Sequence, residues 1–421
     1  MDKEALRSVA KEYGTPAYIF DLDMLKKRIR MIQRSLGEEI RLCYAMKANP
    51  FLIGPIRQLI SKYEVCSPGE FRICEKAGID MQQIVLSGVN KERADIAYVM
   101  GRYGSKGIYT IESAGQLEVL ESCAKECQVV IRALIRVTSG NQFGVDEEEI
   151  CRIIERREAY PHVQIVGLQW YSGTQKKKMA KIEKELLHLD EFLGLLRGKY
   201  GYEAEELEYG PGFYVPYFTS DEEIDEEKML GEFRSILERL HFSGRITLEM
   251  GRYIAAYCGY YLTSIADWKV NQGQRYCIVD GGIHHLTYYG QAMAMKIPHY
   301  QYIWMQEEGA GGEAASVRKD IDTGIEKDAD VEKAEPWNIC GSLCTVNDVI
   351  VKQLPLKNAL IGDVIVFERV GAYSVTEGMY LFLNRDLPQV LFYSQDGGNG
   401  VQMIRQRKGT DEINGIGAVM L

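Results

Sequence analysis

The sequence predicts an α/β fold, a (β/α)8 TIM-like barrel plus a C-terminal all-β domain, and two observations carry that prediction. Beyond residue 35, eight short apolar runs alternate with amphipathic segments of helical period. After about residue 255 the pattern changes to strands separated by glycine-rich turns, with few helical stretches. The expected boundaries are an N-terminal segment at 1–30, the barrel at 31–255 and the β domain at 256–421.

The eight runs are IRLCYAMKA, KYEVCS, IVLSG, GIYTIES, VVIRALIRV, VQIVGLQWYSG, ELEYGPGF and RITLEMG. They are β-branched and aromatic, as strands buried on both faces of a parallel sheet are. Helical segments stand between them: GEFRICEKAG, KERADIAYVMG, AGQLEVLESCAKE, DEEEICRIIERRE, the long stretch from Lys176 to Gly201, and EEIDEEKMLGEFRSILERL. Gly78, Gly101 and Gly201 are expected to end helices in the left-handed conformation. Eight strand–helix alternations in unswapped order favour a closed barrel over an open doubly wound sheet. In the second domain, CGYYLTSIADWKV, QRYCIVDGG, DVIVKQLPL, GDVIVFERV and VLFYSQD read as strands, and an acidic insertion around 308–335 reads as a surface loop.

A chain of 421 residues, 46% hydrophobic and 26% charged, has the composition of a soluble globular protein of more than one ordinary domain. Its formal net charge of −10 argues against nucleic acid or an anionic membrane as the main partner. The segment MDKEALRSVAKEYG is charged and lacks a signal peptide's apolar centre, and no apolar run approaches the roughly 18 residues of a membrane span. A cytoplasmic location is expected. The ten cysteines are scattered, as in a reducing compartment. The pairs Cys123/Cys127 and Cys340/Cys344 lack a nearby histidine or second pair, so no metal site is expected.

A barrel of this class places its active site at the C-terminal ends of its strands. Those ends are Lys47, Cys66–Ser67, Ser87–Gly88, Glu112–Ser113, Arg136, Tyr171–Gly173, Gly210–Gly212 and Glu249–Arg252. One amine, two carboxylates, two guanidinium groups and a glycine-rich turn then share one mouth, a set suited to a phosphorylated, carbonyl-bearing cofactor. Each piece also has a plain reading. Lys47 alone is a solvated strand end; desolvated in a barrel mouth, it has the lowered pKa of a Schiff-base lysine. Gly210 and Gly212 alone make a tight turn; at a strand–helix junction their N–H groups hold phosphate. Glu249 and Arg252 are the stronger signal, because they are otherwise unmatched charges leaving a buried strand. In the β domain, Cys344 sits in a Gly-rich turn near Asp348, and Tyr373 follows a strand. His284 and His285 follow a Gly-Gly turn and read equally as packing or as substrate contacts.

Taken together, YAMKANP, VCSPGE, NQFGVD, GLQWYSGTQ, EYGPGFYVPYF, EMGR, VDGGIHH, GSLCTVND and GAYS occur in an order that resembles the fold-type III pyridoxal-phosphate (PLP) decarboxylases, the diaminopimelate and ornithine decarboxylases. The resemblance spans nearly the whole chain. It implies a barrel plus a β domain that includes the extreme N-terminal residues, and a head-to-tail homodimer with shared active sites. It implies Lys47 as the aldimine lysine. Gly210, Gly212, Gly251, Arg252 and Tyr373 become the phosphate grip, and Tyr171 a ring against the cofactor face. Glu249 becomes the pyridinium partner. Cys344, from the other subunit, reprotonates the quinonoid carbon after CO2 leaves. Arg136, His284, His285, Thr345 and Asp348 are expected on the substrate side.

Three departures bear on substrate. Tyr171 stands where the family usually has histidine, and a tyrosine carries no positive charge near neutral pH. Thr345 replaces the acid that commonly follows the cysteine. HLTYYGQAMAM contains no arginine for a distal carboxylate. Free diaminopimelate is then left with unpaired ends. The motifs are closest to a divergent subgroup that resembles decarboxylases of carrier-protein-tethered aminoacyl groups, as in butirosin biosynthesis. The competing readings are a true diaminopimelate or other basic amino-acid decarboxylase, an alanine-racemase-like enzyme, and a non-catalytic regulatory homologue. A racemase of that type typically sets arginine against the pyridine nitrogen, so Glu249 favours decarboxylation.

Overall fold

The computed structural model describes residues 1–305, 334–396 and 400–415. The acidic loop expected at 308–335 lies outside them except for its last two residues. The chain divides into two units. One comprises Leu25–Val215 and Glu223–Ala255; the other comprises Met1–Met24, Pro216–Glu222 and Ala256–Leu421.

A helix, Lys3–Tyr13, and strand β1, Ala17–Asp21, come first and serve the second unit. The barrel strands follow: β2 Arg41–Ala45, β3 Lys62–Val65, β4 Ile84–Leu86, β5 Ile108–Ile111, β6 Ile131–Val137, β7 Val163–Tyr171, β8 Glu206–Gly210 and β9 Arg245–Met250. All eight are parallel to their neighbours, and β9 pairs back with β2 to close the barrel. All eight expected runs supply these strands. Caps fix the helices between them. Ser67, Ser113 and Asp225 each accept a hydrogen bond from the backbone N–H three residues on, starting helices Pro68–Ala77, Ala114–Cys127 and Glu226–Leu237. Gly78 and Gly201 end their helices in the left-handed conformation, as expected. Gly101 does not. Helix Arg93–Tyr103 runs through it and is capped by Gly104, whose N–H bonds to Met100.

The barrel interior departs from the apolar layers usual in this architecture. Lys62 and Glu64 alternate on β3, Glu206 and Glu208 on β8, and Thr247 and Glu249 on β9, all buried. Alternation places each pair on one face of its strand. Buried charge survives only when paired. Lys62 donates to Glu206, which also accepts from Thr247 Oγ1 at 2.6 Å.

Among the described residues, the second unit holds a nine-stranded sheet. Its further strands are β10 Gly259–Asn271, β11 Gln274–Val279, β12 Tyr300–Ile303, β13 Glu335–Cys340, β14 Val349–Leu356, β15 Val364–Glu368, β16 Gln389–Ser394 and β17 Gly400–Arg405. β1 lies inside this sheet, antiparallel to β10 and parallel to β16. Leu6, Val9 and Ala10 of the first helix, spaced for one face, pack with Ile19, Leu262 and Val366 in its core. Residue Met1 is tied in as well, its amine donating to Tyr260 Oη at 2.8 Å.

Candidate active site

Strand β2 stops at Ala45, and Lys47 occupies the middle of a single 3-10 turn, Met46–Ala48. The turn is held by Asn49, whose side chain accepts from Phe51 N–H, with Pro50 opening the next turn. The Lys47 side chain is half-buried. Its Nζ donates to Glu64 at 2.6 Å and to Glu249 at 3.2 Å, with Cys66 Sγ at 3.9 Å. One cation thus faces two buried carboxylates. Burial raises both acids, but the charge of Lys47 and its closer hydrogen bond pull Glu64 well below the ordinary range. Burial and the neighbouring charge of Glu64 leave Glu249 raised, so it is the acid that keeps a proton.

Three glycines frame the mouth. A Cβ on Gly210 would lie 2.6 Å from the Tyr171 ring, and one on Gly251 would lie 2.8 Å from Ala48 of the Lys47 turn. Gly212 has φ +61°, and its Cβ would lie 2.0 Å from the Gly173 carbonyl oxygen. Only glycine fits there. Arg252 begins a short helix after β9 and donates from Nε to Thr174 Oγ1 at 3.2 Å. Tyr171 ends β7 half-buried. Burial, then the nearby Glu249 carboxyl, raise its phenol, so it stays neutral. Arg136, near the end of β6, has Nη1 at 3.2 Å from both oxygens of Glu112, and its guanidinium lies over the Phe143 ring at 4.6 Å. The barrel unit therefore gathers Lys47, Arg136, Tyr171, Gly210, Gly212, Glu249, Gly251 and Arg252 at the C-terminal ends of its strands.

The other expected residues sit together in the β unit. Cys344 is an exposed free thiol. Asp348, 2% exposed, accepts from Ile283 N–H at 2.8 Å and Leu343 N–H at 2.7 Å, joining the Gly281–His285 turn to the Cys344 loop. Each Asp348 oxygen accepts one of these bonds, so the carboxylate helps to shape the loop. Thr345 braces the same loop, its carbonyl accepting from Asp348 N–H at 3.1 Å. His285 is buried, with Nε2 at 2.8 Å from the Asp386 carbonyl and Nδ1 at 3.0 Å from Tyr261 Oη. A carbonyl only accepts, so the proton sits on Nε2. The His284 ring lies tilted by 45° against His285, 3.8 Å between centres, and neither of its nitrogens has a hydrogen-bond partner among the described residues. Burial pushes His284 down to about 4 and His285 to about 3, leaving both neutral. Tyr373 stands at φ +67°, and its carbonyl accepts from Thr376 N–H at 2.7 Å. The next residue, Ser374, donates to Thr287.

A family model described as "Pyridoxal-dependent decarboxylase, pyridoxal binding domain" matches residues 22–256. The chain belongs to this family of decarboxylases. It is a carboxy-lyase of fold type III, and its cofactor is pyridoxal phosphate. The chain is 25% identical to the L-glutamyl-[BtrI acyl-carrier protein] decarboxylase of Niallia circulans, over 98% of this chain and 96% of that protein. It is 22% identical to the diaminopimelate decarboxylase of Aquifex aeolicus, over 97% and 93%. The crystal structure of M. jannaschii diaminopimelate decarboxylase with L-lysine superposes with a TM-score of 0.81 at 20% identity, over 97% of this chain and 93% of that one. That likeness is one of fold.

The barrel mouth fits the family's cofactor. Three glycines that leave no room for a side chain, so that their backbone stays bare, stand at the same strand ends as a reachable amine and a protonated acid. Sequence reasoning missed the closest partner of that amine, Glu64, along with Gln169 and Glu208. A signal was present. KYE, ELE and TLE alternate polar with apolar in strands that should be apolar on both faces.

Proposed function

We propose that this decarboxylase removes the α-carboxylate of an elongated amino-acid or aminoacyl substrate that lacks a free distal charge, and that the substrate is carried on a carrier protein. The observation that supports the chemistry is Lys47 held between Glu64 and Glu249 beside the glycine cradle. Pyridoxal phosphate, when bound, supplies an electron sink through its protonated ring nitrogen.

The chain's own residues do the rest. Glu64 holds the Lys47 amine in place for exchange with the substrate amine. Backbone N–H groups at Gly210, Gly212 and Gly251, with Arg252, would grip the cofactor's phosphate. Glu249 retains the proton that the ring nitrogen shares. The neutral Tyr171 ring offers a flat apolar face without a charge of its own. Cys344 returns a proton to the α-carbon after CO2 leaves, acting across a homodimer, which its exposure supports.

The substrate reading is supported by two neutral side chains of the β unit. Thr345 is neutral, and Tyr288, within HLTYYGQAMAM, donates its hydroxyl to the Glu368 carbonyl at 2.7 Å. Neither offers a charge to a distal carboxylate or ammonium. One relative is named for its action on an L-glutamyl acyl-carrier protein, which supports the same reading. We place the reaction in the cytoplasm, where ten free cysteines persist.

Assay of the purified protein with free diaminopimelate, ornithine, arginine and a glutamyl carrier protein decides the substrate. CO2 release is expected from the carrier-linked group; rapid release from free diaminopimelate overturns this reading.

A further inference from the structure

Beneath the Lys47 cluster lies a carboxyl group that the chemistry above does not use. Glu208, on β8, is wholly excluded from solvent. One of its oxygens accepts from Gln169 Nε2 at 2.7 Å, and the other has no hydrogen-bond partner among the described residues. The same Gln169 nitrogen lies 3.5 Å from Glu249. Gln169 is therefore a bridge between a deep carboxyl and the acid at the mouth.

The groups around Glu208 do not balance a charge on it. Cys43 faces it from β2, Lys62 and Glu64 from β3, and Glu249 from β9, with Glu206 on its own strand. The cation in this set, Lys62, is bonded to Glu206. An ionised Glu208 would be an anion among three other carboxyl groups, satisfied by one neutral amide. Burying a charge on those terms costs far more than burying an acid.

We propose that Glu208 is held as the neutral acid and, through Gln169, is a positioning residue for Glu249. Neutral Glu208 fixes the Gln169 amide without placing a further negative charge beside Glu249, and the second N–H of that amide is the one turned to Glu249. Burial first, then the charges of Glu206 and Glu64, push Glu208 up to about 7 against the pull of Lys62. The inference rests on reading Glu249 as the partner of the cofactor's ring nitrogen.

Difference infrared spectroscopy of the apoprotein, wild type against Glu208→Gln at slightly acid pH, tests the protonation state without turnover. A protonated-carboxyl band lost in the variant is expected; loss of a carboxylate band instead overturns the proposal. With pyridoxal phosphate bound, the pH midpoint of the visible absorption tests the coupling. Glu208→Gln exchanges neutral for neutral, so the midpoint is expected to hold within about 0.3 units, whereas a shift of about one unit marks a lost charge and overturns the proposal. Gln169→Leu, or Gln169→Asn should leucine not fold, is expected to move the midpoint by about one unit. An unmoved midpoint removes the bridge. A Glu249→Gln midpoint equal to wild type would sink the ring-nitrogen reading alone, since the infrared result does not depend on it.

Discussion

The amine of Lys47 lies 2.6 Å from a carboxylate oxygen of Glu64, closer than its 3.2 Å approach to Glu249. A short bond between ions in a half-closed mouth contributes about 1.5–3 kcal/mol. Glu64→Gln is therefore expected to lower kcat/KM by roughly 10- to 100-fold and to loosen cofactor loading, read by visible titration. Lys47→Ala is expected to abolish both the visible band and turnover. Turnover surviving in Lys47→Ala removes this lysine from the chemistry.

Gly212 and Gly201 share a left-handed φ, +61° and +57°, but differ in surroundings: a Cβ at 201 meets nothing within 4 Å. Gly201→Ala should cost about 1 kcal/mol, the conformational penalty alone. Gly212→Ala should cost roughly 2–3 kcal/mol more, because the Gly173 carbonyl has to move, and should weaken pyridoxal phosphate binding. Denaturant titrations of the two variants check the difference, and equal losses would remove the close approach as its cause.

The Lys62–Glu206 pair can be probed by breaking it once and then replacing it whole. Lys62→Met leaves Glu206 buried beside Arg245 Nη1 at 3.4 Å and Thr247. A loss of about 3–5 kcal/mol is expected. The double variant Lys62→Met, Glu206→Leu should recover most of it. Chemical denaturation that shows the double variant no better than the single one contradicts a paired core.

The apoprotein's stability should fall as pH rises through neutrality. Glu208 titrates at about 7 in the fold against 4.5 for an ordinary glutamate. Below about 4.5 both states hold the proton, so nothing is lost; between 4.5 and about 7 the unfolded chain releases it first, which favours unfolding. The raised Glu249 acts in the same direction. Glu208→Gln should flatten this slope. A wild-type stability that climbs over the same window would contradict a neutral buried acid.

Most of the architecture was legible because buried parallel strands and capped helices leave short-range signatures. The eight barrel runs and the caps at Gly78 and Gly201 are local patterns. Gly101 misled because a second glycine three residues later also fits a cap, and helix length decided between them. Strands β12, β13 and β17 were not anticipated, since each is only partly buried and carries little apolar periodicity. Lys47 and Glu249 were read from strand ends. Glu64, Gln169 and Glu208 were not, because which inward residues meet depends on barrel closure and register, neither of which is written in any one strand.

Strand β1 lies between β10 and β16, paired in parallel with residues 389–393. During synthesis these early residues must stay unpaired on one side until residues 389–393 have left the ribosome, by which time every strand of the barrel is already available. Closing so distant a contact is slow. The order of assembly is then dictated by translation. The barrel matures first, the β sheet is sealed last, and a nascent chain arrested before residue 389 carries an open sheet edge, the feature most prone to pairing with a neighbouring chain.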